Sequence, residues 1–417
     1  MSFERRMGPT GGGCAVEGAR KRRVEDLALF GGPRAFAEPL HVGRPHLGDR
    51  DAFLRRLTDI LDRVWLTNSG PYEQEFEQRL AAVLGVQHCV VMCNATVALE
   101  ILIRALGLQG EVLLPAFTFI ATAHAVEWQG LTPVFCDVDP STHNLDPEAV
   151  ERRITARSSA IIGVHLWGRP CPVEALEEIA ARHKLALVFD AAHAFGCTHR
   201  GRPIGGFGNA EVFSFHATKV LNSFEGGAVA TNDDDLADRL RVMRNFGFTG
   251  YDHVESVGTN GKLTEVAAAM GLTSLESLDR FIALNRQQYH AYREVLSGIP
   301  GVALLSHDEQ ERRNYQYIVV EIDQAAAGVT RDAMQAVLLA ERILARRYFF
   351  PGCHRMAPYC QRGGGRTELA STDRLASRVL CLPSGSGLEM RDIAVMADII
   401  KLVVENSATV MRRLRDE

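Results

Sequence analysis

The chain has 417 residues, 46% of them hydrophobic, and a formal net charge of −5 at pH 7. Its 46 Lys and Arg residues are interleaved with 51 Asp and Glu residues, so we expect no basic surface and no nucleic-acid partner. This length and hydrophobic content predict one large core and one smaller core, and therefore two domains.

Residues 1–24 form the first segment, which combines glycine and charged residues with few large apolar side chains. This composition predicts a disordered tail that does not join the fold. The segment has no hydrophobic leader, and no apolar run in the chain approaches the roughly 18 residues of a membrane span. The nine cysteines are an odd number without a Cys-x-x-Cys spacing, which favours reduced thiols. We therefore expect a cytoplasmic protein without a membrane partner.

Between about residues 60 and 245, short apolar runs alternate with amphipathic stretches. This alternation predicts strand–helix–strand units and a mostly parallel sheet, and so an α/β fold. Two further apolar runs within 210–232 flank a loop without an intervening helix, which predicts an antiparallel edge or a local hairpin. The other expected strands are 88–92, 111–115, 132–136, 159–165 and 186–189.

The C-terminal part of the chain has a different pattern. Helical periodicity over 264–296 precedes an apolar run at 315–322, a helix from Thr330 and a last helix from Glu389, which predicts a smaller α+β domain. The predicted division is a disordered tail over residues 1–24, a large α/β domain over 25–285 and a small α+β domain over 286–417.

Lys219 is the most informative residue, because only five lysines occur in the chain. The apolar run Phe213–Phe215 precedes it, and the small residues Gly226 and Gly227 follow in the same loop. An apolar strand that leads an amine into a loop of small residues is typical of a nucleophile that reacts with an aldehyde. The alternative is a surface lysine whose alkyl stem lies along apolar surface.

Asp190 ends the apolar run 186–189, at the strand end where open α/β sheets bind ligands. A buried carboxylate needs a cationic partner, and the pyridinium nitrogen of pyridoxal 5'-phosphate (PLP) would be one. The alternative is an aspartate that caps the following turn. His193 lies three residues further on, where it either donates a hydrogen bond to a cofactor oxygen or is a neutral core histidine.

Asn94-Ala95-Thr96 stands between a strand and a helix, so its backbone N–H groups and the helix dipole predict an anion site that suits a cofactor phosphate. Simple capping of the helix by Asn94 or Thr96 is the alternative. Ser214, five residues before Lys219, either adds a hydroxyl to the phosphate site or is an ordinary strand residue.

Phe119 begins a helix after a strand end, so its ring either stacks on a flat aromatic cofactor or joins the core. Motifs for other chemistries are missing from the sequence. No Gly-x-Gly-x-x-Gly follows the first strand, no phosphate-binding Gly-x4-Gly-Lys occurs, and no His-x3-His or Cys-x2-Cys pair offers a zinc site. We therefore predict no catalytic metal.

Taken together, these motifs resemble those of the DegT-type sugar-nucleotide aminotransferases, which use PLP and have the aspartate aminotransferase-like fold (fold type I). The resemblance covers about residues 28–400. The motifs that carry it, in chain order, are Asn68-Ser-Gly-Pro71, Phe76-Glu77, Asn94-Ala-Thr96, Pro115-x-x-Thr-Phe119, Asp190-Ala-Ala-His193, Ser214-Phe-x3-Lys219 and Glu225-Gly-Gly227.

The resemblance implies a role for each matching residue. Lys219 would form the Schiff base with PLP and Asp190 would pair with the ring nitrogen, so these two are the expected catalytic residues. The expected cofactor-binding residues also include Asn260, which matches the family position that reaches the phosphate of the neighbouring subunit, and the resemblance therefore implies a homodimer with shared active sites. The remaining cofactor-binding positions are Ala95, Thr96, Phe119, His193 and Ser214.

Three positions depart from the family pattern. The family usually has Ser-Gly-Thr where this chain has Asn94-Ala95-Thr96, and an Asn-Tyr-Arg-like run where Asn260-Gly-Lys262 stands. It also usually has Gln at the position of His193, where the resemblance implies a contact to the phenolic oxygen of PLP.

Further segments resemble the 4-aminotransferase branch of desosamine-type antibiotic pathways, among them 165–171, 213–219 and 348–354. That branch implies transfer of the amine of L-glutamate to the C4 ketone of dTDP-4-keto-6-deoxy-D-glucose, giving dTDP-4-amino-4,6-dideoxy-D-glucose. Candidate substrate contacts are Trp167, in the Trp167-Gly168 turn, and Tyr348 and His354, in the segment 347–354; ordinary packing and turn formation are the alternative for each. The alternatives are a C3 aminotransferase, a PLP-dependent deoxysugar dehydratase, which would carry His in place of Lys219, and a PLP-binding regulator without turnover.

Overall fold

The computed structural model describes residues 20–361 and 368–416. The predicted tail lies outside the described residues over 1–19, but residues 20–24 are placed and contradict that prediction for their part. Lys21 is buried and its Nζ lies 3.2 Å from a carboxylate oxygen of Glu341, while Val24 joins a hydrophobic core. The basic run at 21–23 carries no local signal of this burial, because the ion-pair partner of Lys21 lies more than 300 residues away.

A seven-stranded sheet forms the centre of the larger part of the chain, and we number its strands in chain order. They are β1 His88–Met92, β2 Glu111–Pro115, β3 Thr132–Cys136, β4 Ser158–Val164, β5 Ala186–Asp190, β6 Ala210–Ser214 and β7 Gly227–Thr231. The spatial order is β1-β7-β6-β5-β4-β2-β3. Only β7 runs antiparallel to its neighbours in this sheet, and this confirms the predicted mostly parallel α/β fold.

The antiparallel strand β7 lies one position inside the sheet and not at its edge. It pairs with β6 on one side, where Gly227 faces Ser214, and with β1 on the other, where Gly227 faces Met92. The predicted antiparallel pairing near residue 219 is therefore confirmed. The strand β7 is not an edge strand, because β1 pairs with its other side.

Helices cover both faces of this sheet, since each crossover between parallel strands returns along one face. The helix that the sequence placed from Asn94 begins at Ala95, and Asn94 caps it by accepting a hydrogen bond from the Val97 N–H at 2.9 Å. The helices in this part are Arg50–Arg63, Pro71–Leu84, Ala95–Ala105, Ile120–Trp128, Pro147–Glu151, Val173–His183, Asp234–Arg244, Glu265–Glu276 and Leu278–Leu296.

A three-stranded antiparallel sheet of Val302–Leu304, Ile318–Ile322 and Val379–Leu382 forms the centre of the C-terminal part. Its core also receives Leu27, Phe36 and Leu40 from the N-terminal segment, and Leu40–His41 pairs in parallel with Ile343–Leu344. The predicted boundary at 285 stays a prediction. The helices in this part are Gln324–Ala327, Arg331–Ala340, Ala357–Cys360, Ala370–Arg378, Met390–Glu405 and Ser407–Asp416.

Short elements complete the described chain. Two-stranded hairpins pair Thr198–His199 with Arg202–Pro203 and Phe248–Gly250 with His253–Val254. The 3₁₀ turns are Val24–Asp26, Ala28–Phe30, Leu166–Gly168 and Cys353–Arg355. Within the described residues, no helix combines the length and the apolar character that a membrane crossing requires.

Candidate active site

A pocket of about 260 Å³ lies at the carboxyl ends of the parallel strands. Parallel strands end at the same edge of a sheet, so side chains that follow different strands meet there. The structure brings together most of the predicted site residues. Those that line the pocket are Ala95, Thr96, Phe119, Asp190, His193, Ser214, Lys219 and Tyr348.

Lys219 lies in the connection between β6 and β7, which are neighbours in the sheet. Its Nζ donates a hydrogen bond of 3.1 Å to the Tyr317 hydroxyl. Burial lowers the pKa of Lys219 from its ordinary value of 10.5 to about 8, and the Asp190 carboxylate opposes that change. Roughly a tenth of this amine is therefore unprotonated at pH 7, far more than for a lysine with the ordinary pKa, and the unprotonated form is the nucleophile.

The Asp190 carboxyl is held from two sides at the end of β5. Its Oδ2 accepts a hydrogen bond of 2.9 Å from the Thr122 hydroxyl, and its Oδ1 accepts one of 3.1 Å from the Ala192 N–H. The burial of this carboxyl raises its pKa, while these hydrogen bonds and the charge of Lys219 oppose the rise. A carboxylate that protein atoms desolvate in this way gains most from a cationic partner inside the pocket.

His193 is buried beside the pocket, and the Trp167 backbone N–H donates to its Nδ1 at 3.3 Å. Burial and the nearby Lys219 charge hold the pKa of His193 well below its ordinary value. A neutral imidazole that accepts at Nδ1 carries its proton at Nε2. His193 is therefore a hydrogen-bond donor through Nε2, like the amide of the Gln that the family usually has at this position.

The first turn of the helix Ala95–Ala105 forms another wall. The Asn94 side chain caps the Val97 N–H, so the N–H groups of Ala95 and Thr96 are left for a ligand. A Cβ on Gly227 would come within 2.4 Å of the Ala95 nitrogen, so only glycine allows β7 to approach this closely. The sequence left helix capping and an anion site as alternatives. Both are possible at this helix start, because Asn94 caps the helix while the N–H groups of Ala95 and Thr96 are left for a ligand.

Phe119 precedes the helix Ile120–Trp128, and its side chain is 55% exposed at the pocket wall. An exposed aromatic face at a pocket wall suits stacking against a flat ring. Ser214 ends β6 and lines the same pocket.

Three predicted residues do not line the pocket. Trp167 is fully buried and stacks on Phe349, with ring centroids 5.3 Å apart, and His354 is fully buried, with its Nε2 3.1 Å from a carboxylate oxygen of Asp373. Neither side chain lines the pocket, which favours ordinary packing at both positions, and their role as substrate contacts stays a prediction. Asn260 lies in an exposed loop, bridged to Asn245 and away from the pocket of its own chain.

Several residues of the pocket were missed from the sequence. Tyr317 was read only as part of an apolar strand, and the Tyr-Gln-Tyr run at 315–317 was the one signal that polar groups precede that strand. Thr122 also lines the pocket, and nothing in its local sequence indicates it, whereas Phe349, which lines it too, lies in the segment 348–354 that carries part of the resemblance. Among the described residues, no group of three or more His, Cys, Asp or Glu side chains is arranged to hold a metal ion, and the metal-free site stays a prediction.

Comparisons with known proteins agree with this geometry. Residues 48–401 match the model of the DegT/DnrJ/EryC1/StrS aminotransferase family. The dTDP-4-amino-4,6-dideoxy-D-glucose transaminase of Shigella dysenteriae is 36% identical over 369 residues, which cover 88% of this chain and 98% of that protein. The GDP-perosamine synthase of Caulobacter vibrioides is 34% identical over 360 residues, covering 85% of this chain and 95% of the relative.

Solved structures also resemble this chain. The crystal structure of DesI in the presence of its TDP-sugar product has a TM-score of 0.90 and 51% identity, and the match covers 94% of this chain and all of that one. DesV from S. venezuelae has a TM-score of 0.80 and 32% identity, over 85% of this chain and 95% of its own. These likenesses confirm the predicted aspartate aminotransferase-like fold of type I. The chain belongs to the DegT/DnrJ/EryC1/StrS aminotransferase family.

Proposed function

We propose that this aminotransferase uses PLP to move the amine of L-glutamate to the C4 ketone of dTDP-4-keto-6-deoxy-D-glucose, giving dTDP-4-amino-4,6-dideoxy-D-glucose. The observation that carries the proposal is the placement of the Lys219 amine and the Asp190 carboxyl in one pocket. The names of the relatives support the substrate, since one is a dTDP-4-amino-4,6-dideoxy-D-glucose transaminase and DesI was solved with its TDP-sugar product.

The pocket fits PLP group by group. Asp190 needs a cation, which the protonated ring nitrogen would be, and His193 presents an Nε2 proton for the phenolic oxygen. The helix start at Ala95 and Thr96, with the Ser214 hydroxyl, suits the phosphate, and the exposed ring of Phe119 suits stacking on the pyridine ring. When bound, PLP supplies an electron sink that stabilises negative charge on the carbon losing its proton.

Lys219 performs two tasks in this proposal. With a pKa lowered to about 8, its amine is nucleophilic enough to hold the cofactor aldehyde. Once released, the same amine takes a proton from the α-carbon of glutamate, and in the second half of the cycle it delivers a proton to C4 of the sugar. The Asp190 carboxylate would pair with the ring nitrogen of bound PLP and would favour its protonated form.

Aromatic side chains pack together at and behind the inner wall of the pocket, and such apolar packing leaves little room for water. Trp167 stacks on His193 with ring centroids 5.7 Å apart, and Tyr317 lies 4.4 Å from His193. A dry wall strengthens the charge interactions of Lys219 and Asp190 with a bound ligand.

The proposal includes a homodimer with shared sites, in which Asn260 reaches the phosphate bound in the partner's pocket. Asn260 is in a loop whose large apolar side chains are exposed, among them Phe246, Tyr251 and Val257, as expected for a surface that a second copy covers. The cytoplasmic location and the lack of a nucleic-acid partner stay predictions.

Incubation with PLP, glutamate and dTDP-4-keto-6-deoxy-D-glucose, followed by mass spectrometry and NMR of the sugar, tests the proposal. We expect one 2-oxoglutarate for each new amine, with nitrogen on C4. Amination at C3 would identify the alternative aminotransferase, loss of water the dehydratase, and no glutamate-dependent product the regulator. Lys219→Arg should remove turnover, and the exposed Lys401→Arg is the matched control.

A further inference from the structure

The segment Gln316–Tyr317 contacts the catalytic lysine from the C-terminal part of the chain. The Gln316 side chain accepts a hydrogen bond of 3.1 Å from the Val220 N–H and donates one of 3.2 Å to the Thr218 carbonyl oxygen. These two bonds hold the peptide groups on either side of Lys219. The next residue, Tyr317, accepts the hydrogen bond from the Lys219 amine at 3.1 Å, so both the backbone and the tip of the lysine are fixed from one segment.

The Tyr317 ring is held in place by packing. It is 6% exposed and lies edge-on to Trp167 at 5.4 Å and to Tyr348 at 6.4 Å, and it is tilted against His193 at 4.4 Å. Gln316 is also bound at its backbone, where its N–H donates to the Asn314 side chain at 3.1 Å. Because this hydroxyl is fixed, its hydrogen bond holds the Lys219 amine at one position.

Burial raises the pKa of the Tyr317 hydroxyl well above its ordinary value of 10.0, so near neutral pH this hydroxyl is protonated. A neutral phenol accepts from an ammonium or an amine and donates at the same time. It therefore offers the lysine a partner without adding a negative charge beside Asp190.

We propose that the Tyr317 hydroxyl holds the Lys219 amine whenever that amine is not bonded to the cofactor, and so keeps the proton carrier within reach of the reacting carbons. This inference rests on the proposed function for its role in turnover, while the contact itself belongs to the protein alone. No bond is made or broken by Tyr317 beyond hydrogen bonds. Its loss leaves the lysine free to adopt other rotamers in the released state.

The test begins with the PLP-free protein, in which an amine-modifying reagent such as trinitrobenzenesulfonate labels lysines as they lose their protons. Peptide mapping separates Lys219 from the other four lysines, which act as internal references. Tyr317→Phe removes an acceptor that stabilises the ammonium form, so the labelling midpoint of Lys219 should move down by about 1 pH unit. Tyr348→Phe removes another hydroxyl from the same pocket and leaves the Lys219–Tyr317 hydrogen bond intact, so it should leave the midpoint in place.

The loaded enzyme supplies the second readout. Tyr317→Phe should lower kcat about 10-fold or more with KM for the sugar changed less than about threefold, because proton transfer is slowed and binding is not. An unchanged Lys219 midpoint in Tyr317→Phe, or an equal shift in Tyr348→Phe, would overturn the inference. Labelling needs no substrate, so this result is independent of whether the sugar assignment is correct.

Discussion

The Thr122 hydroxyl donates a 2.9 Å hydrogen bond to the Asp190 carboxylate, and it is itself 3.1 Å from the Thr118 hydroxyl. This chain of two hydroxyls runs from the start of the helix Ile120–Trp128 to the end of β5. It stabilises the ionised form of a carboxyl whose burial raises its pKa. The orientation of Asp190 therefore depends on a residue from a different element of the sheet edge.

Thr122→Val should weaken PLP binding by about 10-fold, because a hydrogen bond to a charged group contributes about 1.5–3 kcal/mol. The substitution conserves shape and raises the pKa of Asp190 further, so the cation on the ring nitrogen is held less well. Absorbance titration of the PLP-free protein with PLP measures the effect. Thr118→Val is the control, since Thr118 contacts Thr122 and not Asp190; equal losses in the two variants would contradict the prediction.

Lys219 should add a part to the stability of the PLP-free protein that grows with pH above about 8. The folded pKa of Lys219 lies at about 8 against an ordinary 10.5, so between these values this side chain binds more protons in the unfolded chain, and its contribution rises by at most about 1.4 kcal/mol per pH unit. Buried thiols such as Cys171 and Cys381, whose pKa values burial raises from an ordinary 9.0, have the opposite effect on the total stability. Urea unfolding of wild type and Lys219→Met between pH 7.5 and 10 therefore measures the Lys219 part as a difference, and parallel curves for the two proteins would show that Lys219 does not titrate in this window.

His193→Gln should retain kcat within about threefold, because both side chains donate an N–H into the pocket. His193→Leu has no donor and should lose about 10-fold or more. The pH profile is the sharper measurement. The pKa of His193 lies well below its ordinary value, so wild type and His193→Gln should have the same acidic limb, and a limb near pH 6.5 that only wild type has would contradict the neutral assignment.

Lys21→Ala should cost about 3–5 kcal/mol of stability, because it leaves the Glu341 carboxylate buried without its cation. That carboxylate also accepts hydrogen bonds from the N–H groups of Ala28 and Ala35, both at 2.7 Å, so it organises the N-terminal segment. Chemical denaturation measures the loss. Arg22→Ala is the control. Arg22 is the next residue and is exposed, so its substitution should change stability by less than about 0.5 kcal/mol.

The sequence predicted the elements well where periodicity and strand ends determine them. The strand at 132–136 and the helix start at Ala95 agree with the structure to the residue or within one, and Asp190 and Lys219 meet because parallel strands end at one edge and a hairpin returns beside them. These are local patterns with a fixed spatial consequence.

The positions that the sequence did not predict depend instead on contacts between distant segments. Trp167 follows the end of β4, a position that resembles a ligand site, but it has a φ of 61° and its ring turns into the core. Tyr317 reaches Lys219 across 98 residues, and Lys21 reaches Glu341 across more than 300. The position of a residue after a parallel strand predicts that it lies near the ligand-binding edge of the sheet. Packing with distant segments then determines whether its side chain faces the pocket.

The three tryptophans lie in sharply different surroundings: Trp65 is 47% exposed, Trp128 is 79% exposed and Trp167 is fully buried against His193. An aqueous collisional quencher such as acrylamide will therefore remove the emission of the first two before that of Trp167. The residual blue-shifted fluorescence then belongs to a single indole beside the ligand pocket. A change in this residual emission when a ligand is added would therefore indicate, without any added dye, that the pocket is occupied.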